Sequence, residues 1–178
     1  MPKTPKAVKC TSIVAKSKGG WYFLTVSPEI AKHFETDPKT RRVVCTLNDS
    51  HKFQCALSPN KGVFTIAVNM AIRKKLNLNE GDIVEILLEP DASKYGAPMP
   101  EDFAEVLRQD DEGSRLFHAL TRGMQRSLIY MVAAVKNIDR RIDLGLAILE
   151  HIKENDGKVV VEILIEQIRS PKTKDPFR

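Results

Sequence analysis

The densest set of chemistry-bearing side chains in this sequence is cationic. With residues 121–138 read as helical, Arg122 and Arg126 lie one turn apart, and Lys136, Arg140 and Arg141 gather around the junction with the next helix. Guanidinium groups grip carboxylates and phosphates through paired N–H donors. The five residues are therefore a candidate site for a small anionic ligand or an acidic protein partner. A solvated helix face balanced by Asp139 and Asp143 explains the same residues equally simply. A second basic run, Arg73-Lys74-Lys75, is the candidate contact set if the chain binds nucleic acid.

Signals for catalysis are sparse. The sequence has no Gly-rich phosphate loop, nucleophile elbow, dinucleotide fingerprint or paired zinc-ligand motif. His33, His51, His118 and His151 are dispersed, and no serine or cysteine stands in an activated setting. No catalytic residue is assigned, and neither metal nor cofactor is expected. His118 follows Leu116-Phe117 and reads as a helix-surface or half-buried residue. Asp82, after Gly81, reads as a hydrogen-bonding turn residue. Cys45 and Cys55 read as core neighbours rather than metal ligands, because no second close Cys/His pair accompanies them.

Charge is uneven along the chain. Residues 1–89 hold 14 Lys and Arg against 8 Asp and Glu, a balance of +6, whereas residues 90–178 hold 14 against 15, a balance of −1. Such a surplus favours phosphate-bearing partners, and it equally suits lysines that blunt exposed strand edges. No stretch approaches the roughly 20 apolar residues of a membrane helix. The basic start, Met1-Pro2-Lys3-Thr4-Pro5-Lys6, leads into no apolar run, so no signal peptide is expected. Three cysteines without dense spacing suit a reducing compartment. The expectation is a cytoplasmic protein without membrane insertion, monomeric or weakly dimeric.

The elements that must position these residues come from a repeat. Residues 20–34 align without a gap on residues 62–76: Gly20 with Gly62, Leu24 with Ile66, Val26 with Val68, Ile30 with Ile72 and Phe34 with Leu76. Each copy reads as turn glycine, strand and short helix, and a further strand follows in each, at 43–47 and 83–88. Ser27-Pro28 starts the first helix, and Asp37-Pro38 stops it. Two copies are too few for a solenoid. They suit a closed pseudo-twofold barrel over residues 7–89, with repeat units 20–47 and 62–88. For the hairpin inside it, a loop at Asp49-Ser50-His51 pairs Leu47 with Phe53, Cys45 with Cys55, and Val43 with Leu57, all on one face.

Residues 90–99 are rich in turn formers and read as a linker. Helical spacing follows over 100–156, in a stripe such as Ile142, Leu146, Leu149 and Ile152. Residues 157–178 form an extension. Its segment 158–168 fits both periods, and its β-branched content favours a strand.

The runs Leu57-Ser58-Pro59-Asn60-Lys61-Gly62, Ile72-Arg73-Lys74-Lys75-Leu76 and Gly81-Asp82-Ile83-Val84 resemble the swapped-hairpin motif of AbrB/MazE-type proteins. With Gly20-Trp21-Tyr22-Phe23 and Pro28, they look more like a single-chain relative, an uncharacterised bacterial double-split β-barrel domain. Met99-Pro100-Glu101-Asp102-Phe103, Phe117, Ile129-Tyr130, Ala133-Ala134-Val135-Lys136 and Arg140-Arg141-Ile142 are similar to the bacteriocin-protection, YdeI/OmpD-associated family. Where that family has a tryptophan and an additional arginine, this chain has Met131-Val132 and Ile138. The resemblance implies an α+β protein: a double-split, AbrB-like pseudo-twofold β-barrel followed by a small helical C-terminal region. It carries no established reaction. The leading expectation is a non-enzymatic binding or interaction protein. A weak, sequence-indifferent nucleic-acid binder is the alternative, and an enzyme with a site between barrel and helices is a third reading.

Overall fold

A computed structural model of the chain describes residues 6–35 and 41–169, which divide into two compact units between Gly96 and Ala97. The chain is α+β, a curled antiparallel sheet followed by helices. In the first unit the strands are β1 (Val8–Lys16), β2 (Tyr22–Val26), β3 (Arg42–Leu47), β4 (His51–Ala56), β5 (Ser58–Asn60), β6 (Val63–Val68) and β7 (Ile83–Pro90). Helix α1 (Pro28–His33) follows β2, and α2 (Met70–Leu76) follows β6. The sheet order is β4-β3-β7-β1-β2-β6-β5, and the sheet curls until β4 approaches β6. Alternate residues such as Leu24, Ile66, Val43, Leu47, Ile86 and Leu88 fill its inner face. The Asp37-Pro38 break lies outside the described residues.

The two copies of the repeat meet. β2 pairs with β6, and the equivalent residues Leu24 and Ile66 are cross-strand partners, both buried. Both helices start on a side-chain cap: Ser27 Oγ accepts from Ile30 N–H at 3.4 Å and Asn69 Oδ1 from Ile72 N–H at 2.9 Å.

β1 serves two neighbours. Residues 8–13 pair with β7, and residues 14–16 pair with β2. Beyond the Val14–Leu24 pair β1 and β2 part, and Ser12 fills the gap. Its hydroxyl accepts from Thr25 N–H at 2.9 Å and donates to Thr25 C=O at 2.8 Å. The side chain replaces both missing ladder bonds in a buried position.

The structure corrects the hairpin register. Leu47 faces His51, Cys45 faces Phe53, and Val43 faces Cys55, so each partner lies two residues earlier than the apolar pattern predicts. A shift of two keeps the same face inward. The turn decides it. Asn48 and Asp49 both take positive φ, at 47° and 50°, and Ser50 N–H closes on Leu47 C=O at 2.9 Å. Asn48 is further held because its Oδ1 accepts from Glu85 N–H at 2.9 Å. After β7, Gln54 Nε2 donates to Ser93 Oγ at 2.7 Å and to Asp91 Oδ1 at 3.2 Å, and Arg42 donates to the Gly96 carbonyl. Residues 91–96 are thereby pinned to the β3–β4 hairpin.

The second unit holds α3 (Glu101–Gln109), α4 (Asp111–Ala119), α5 (Arg122–Ala133), α6 (Ile138–Glu154) and α7 (Val161–Arg169). α6 packs against the other four. Gly145 lets α3 come close: a Cβ there would stand 2.9 Å from Phe103 Cδ2. Asp110 caps α4 through Gly113 N–H at 2.7 Å and pairs with Lys153 of α6 at 2.8 Å.

The strand expected over 158–168 is a helix from Val161. Leu164 is buried, and His151 Nε2 accepts from Val160 N–H at 3.0 Å, which ends the extended approach one residue before α7. His151 Nδ1 donates to Gln167 Oε1 at 2.7 Å, so one neutral ring with its proton on Nδ1 ties α6 to α7. An isolated segment with both periods has no such partner to choose between them.

Two expectations follow. Ser12→Ala strands the N–H and C=O of Thr25 and should destabilise the first unit by about 1–3 kcal/mol; urea unfolding identical to the parent would refute the bridging role. The Lys153 ammonium, then Gly113 N–H, lowers the Asp110 carboxyl below its ordinary value. The unfolded form then binds this proton more readily. The stabilisation is full above the unfolded pKa of about 4 and is lost as pH falls through the lower native value. Asp110→Asn should flatten that acid limb when unfolding is followed by circular dichroism from about pH 5 to 2; an unchanged slope would remove Asp110 from the account.

Candidate functional site

The turn between β1 and β2 builds an exposed aromatic. Ser17 N–H donates to Trp21 C=O at 2.8 Å, Trp21 N–H donates to Ser17 Oγ at 3.0 Å, and Gly20 takes φ 82° to close the turn. The indole edge lies along Gly19, whose Cβ, if it had one, would stand 3.4 Å from Trp21 Cδ1. Trp21 is nevertheless 77% exposed. The next residue, Tyr22, carries two cations: the Arg73 guanidinium carbon lies 3.3 Å from its ring centroid and Lys16 Nζ lies 5.5 Å from it. Lys16 gets there as the cross-strand partner of Tyr22, and Arg73 arrives from α2. One register position beyond the Tyr22–Val68 pair stands Asn69, the cap of α2, followed by exposed Met70.

The basic run of α2 is divided among neighbours. Arg73 lies on Tyr22, and its buried Nε makes no hydrogen bond among the described residues. Lys74 is exposed. Lys75 Nζ donates to His51 Nδ1 at 3.3 Å, and the His51 ring stacks on Phe53 with centroids 5.8 Å apart.

The second-unit cations do not form one cluster. Arg122 and Arg126 occupy the first half of α5, and Lys136 lies beyond its end. Eleven helical steps from Arg122 to Ala133 span roughly 16 Å. Arg122 Nη1 donates to buried Gln125 Oε1 at 3.4 Å. At the other end, Lys136 and Arg140 are exposed, while Arg141 turns inward and binds Asp102 Oδ2 through Nε and Nη2, each at 2.6 Å. Arg141 thereby joins the start of α6 to the start of α3.

The remaining polar residues are bound into local structure. Asp82 Oδ2 accepts from Asn79 N–H at 2.7 Å. His33 Nε2 lies 3.2 Å from Lys6 C=O, and His118 Nδ1 donates to Ser114 C=O at 2.7 Å. No group of three or more His, Cys, Asp or Glu side chains among the described residues is placed to hold a metal ion. Cys45 is buried, while Cys10 and Cys55 are half-buried. A hydrogen bond with Cys55, then burial, pushes the Cys45 thiol far above its ordinary value. Cys45 should therefore react with a thiol reagent at least about a hundredfold more slowly in the native state than after unfolding. Equal labelling rates at all three cysteines, or stoichiometric zinc in the purified protein, would contradict this account.

Trp21, Tyr22 and Lys16 carry the geometry, though sequence reasoning named none of them as a candidate site residue. The available signal was the chain's one tryptophan, set directly after a Gly-Gly turn with Lys16 and Lys18 beside it. No helix among the described residues is long and apolar enough to cross a membrane. Neither the curated proteins nor the solved structures contain a significant match to the chain. Residues 11–88 match the family model of a domain of unknown function (DUF1905), and residues 97–154 match the model described as Bacteriocin-protection, YdeI or OmpD-Associated. The first match falls within the first compact unit and the second within the second.

Proposed function

We propose that this chain is a non-enzymatic binding protein whose first unit engages an anionic partner. The observation that carries the reading is the corner where β2 meets α2. Lys16 and Arg73 share the Tyr22 ring there, with Lys18 in the adjoining turn and Lys74 exposed on α2. Like charges gathered in this way repel one another, and an anion relieves that repulsion. The +6 balance of residues 1–89 points in the same direction. The second unit's likeness to bacteriocin-protection proteins supports an interaction role for the whole chain.

On the same reading the first unit is a pseudo-twofold, double-split barrel of the AbrB kind, complete within one chain. The facing of Leu24 and Ile66 across β2 and β6 supports this, as does the division of β1 between β7 and β2. Nucleic acid is the second reading, favoured by the aromatic beside the cations.

The test is binding of a heparin-type polyanion to the full chain, measured at about 50 and 200 mM salt. Binding should weaken at least tenfold as salt rises, and Lys18→Glu with Lys74→Glu should weaken it at least tenfold at the lower salt. Undiminished binding by that double variant would discard this corner as the site.

A further inference from the structure

We infer that the partner of the first unit is single-stranded nucleic acid, held with an unpaired base stacked on Trp21. The inference rests on the anionic-partner reading and adds what the cations alone do not specify. Lys16, Lys18, Arg73 and Lys74 would accept any polyanion. Trp21 would not. An indole offers an apolar π-face and a single donor, so what covers it is flat or apolar. The Ser17 bonds fix its backbone and Gly19 supports its edge, yet most of the ring faces water. A backbone fixed before binding lowers the ordering cost when a base settles on the ring.

A base stacked on an aromatic with its phosphates among lysines and arginines is how single strands are held without sequence preference. Duplex DNA fits worse. Its bases hide their faces from the indole. Helix α2 has seven residues, about 10 Å of helix, and Arg73 is already committed to Tyr22, which leaves little with which to read a groove. The repeat supplies an internal comparison. The positions equivalent to Trp21 and Arg73 in the other copy are Val63 and Ala31. The opposite end of the β2–β6 ladder keeps a cation on an aromatic, Arg41 at 4.9 Å from the Phe64 ring centroid, but offers no indole, and one strand per chain is expected.

The chain's one tryptophan reports on its own site. The full chain is titrated with a ten-nucleotide oligothymidine, with the corresponding duplex and with inorganic polyphosphate, while tryptophan emission is followed. The single strand should quench emission and saturate at one strand per chain, whereas polyphosphate should bind without quenching. With four phosphates neutralised, single-strand affinity should fall about fiftyfold between 50 and 200 mM salt, a slope of about −0.7 per phosphate. Trp21→Ala, followed by anisotropy of a labelled oligonucleotide, should lose about tenfold in single-strand affinity and keep its polyphosphate affinity. The ring is exposed, and an unchanged melting temperature confirms that the variant is folded.

Equal affinity of parent and Trp21→Ala for the single strand would overturn the inference, as would tighter binding of the duplex. So would an emission blue shift with an acidic apolar peptide and no response to oligothymidine, which marks a protein partner. In each of these outcomes retained polyphosphate binding leaves the anionic-partner reading standing. Loss of polyphosphate binding as well takes both down.

Discussion

A strand that changes neighbours partway along its length leaves backbone donors and acceptors facing nothing where it parts from one of them. In this protein β1 is that strand, and the opening beside Thr25 is where the cost would fall. Two unpaired groups buried there would cost a few kcal/mol, a large share of a small unit's stability. Ser12 removes that cost with one hydroxyl acting as donor and acceptor together. Once the opening is tolerated, β1 joins the two groups of strands into one sheet. The sheet can then curl and enclose the apolar residues of both repeat copies. The cationic corner depends on the same arrangement, because the β1–β2 turn presents Trp21 and the β1–β2 pairing sets Lys16 beside Tyr22.

What the sequence disclosed follows the reach of each signal. The repeat was legible because turn glycines and apolar spacing are local, and the two copies corroborate each other at Leu24 and Ile66. Inward alternation in the β3–β4 hairpin was legible, but its register was not. Alternation fixes only which residues point the same way, and a displacement of two leaves that unchanged. The turn at Asn48 and Asp49 settled it through a bond from Glu85, 37 residues away, which no local pattern contains. The segment at α7 failed for a related reason. Valine and isoleucine favour a strand when counted, yet a buried histidine on α6 and the seat of Leu164 select a helix.

The candidate site was less legible than the fold. Five cations within 20 residues look like a cluster in a linear string, but helical rise separates the ends of α5 and Arg141 turns to Asp102. Proximity along the chain is not proximity in space. The corner at Trp21 had the opposite problem. Its components lie at Lys16, Trp21, Tyr22 and Arg73, 57 residues apart at the extremes, and strand pairing together with the placement of α2 joins them. Nor does the sequence show that an aromatic between glycines and a strand is left uncovered, because exposure depends on everything that fails to pack against it.

The presence of both copies in one chain has a consequence for how such a surface can change. In a homodimer every substitution is printed twice, so a residue that suits a ligand at one end of the shared ladder must also be tolerated at the other. Here Trp21 and Val63 hold equivalent places under separate codons, as do Arg73 and Ala31. One end can be shaped for contact while its counterpart keeps to packing and solubility. Covalent linkage frees the two copies from identity.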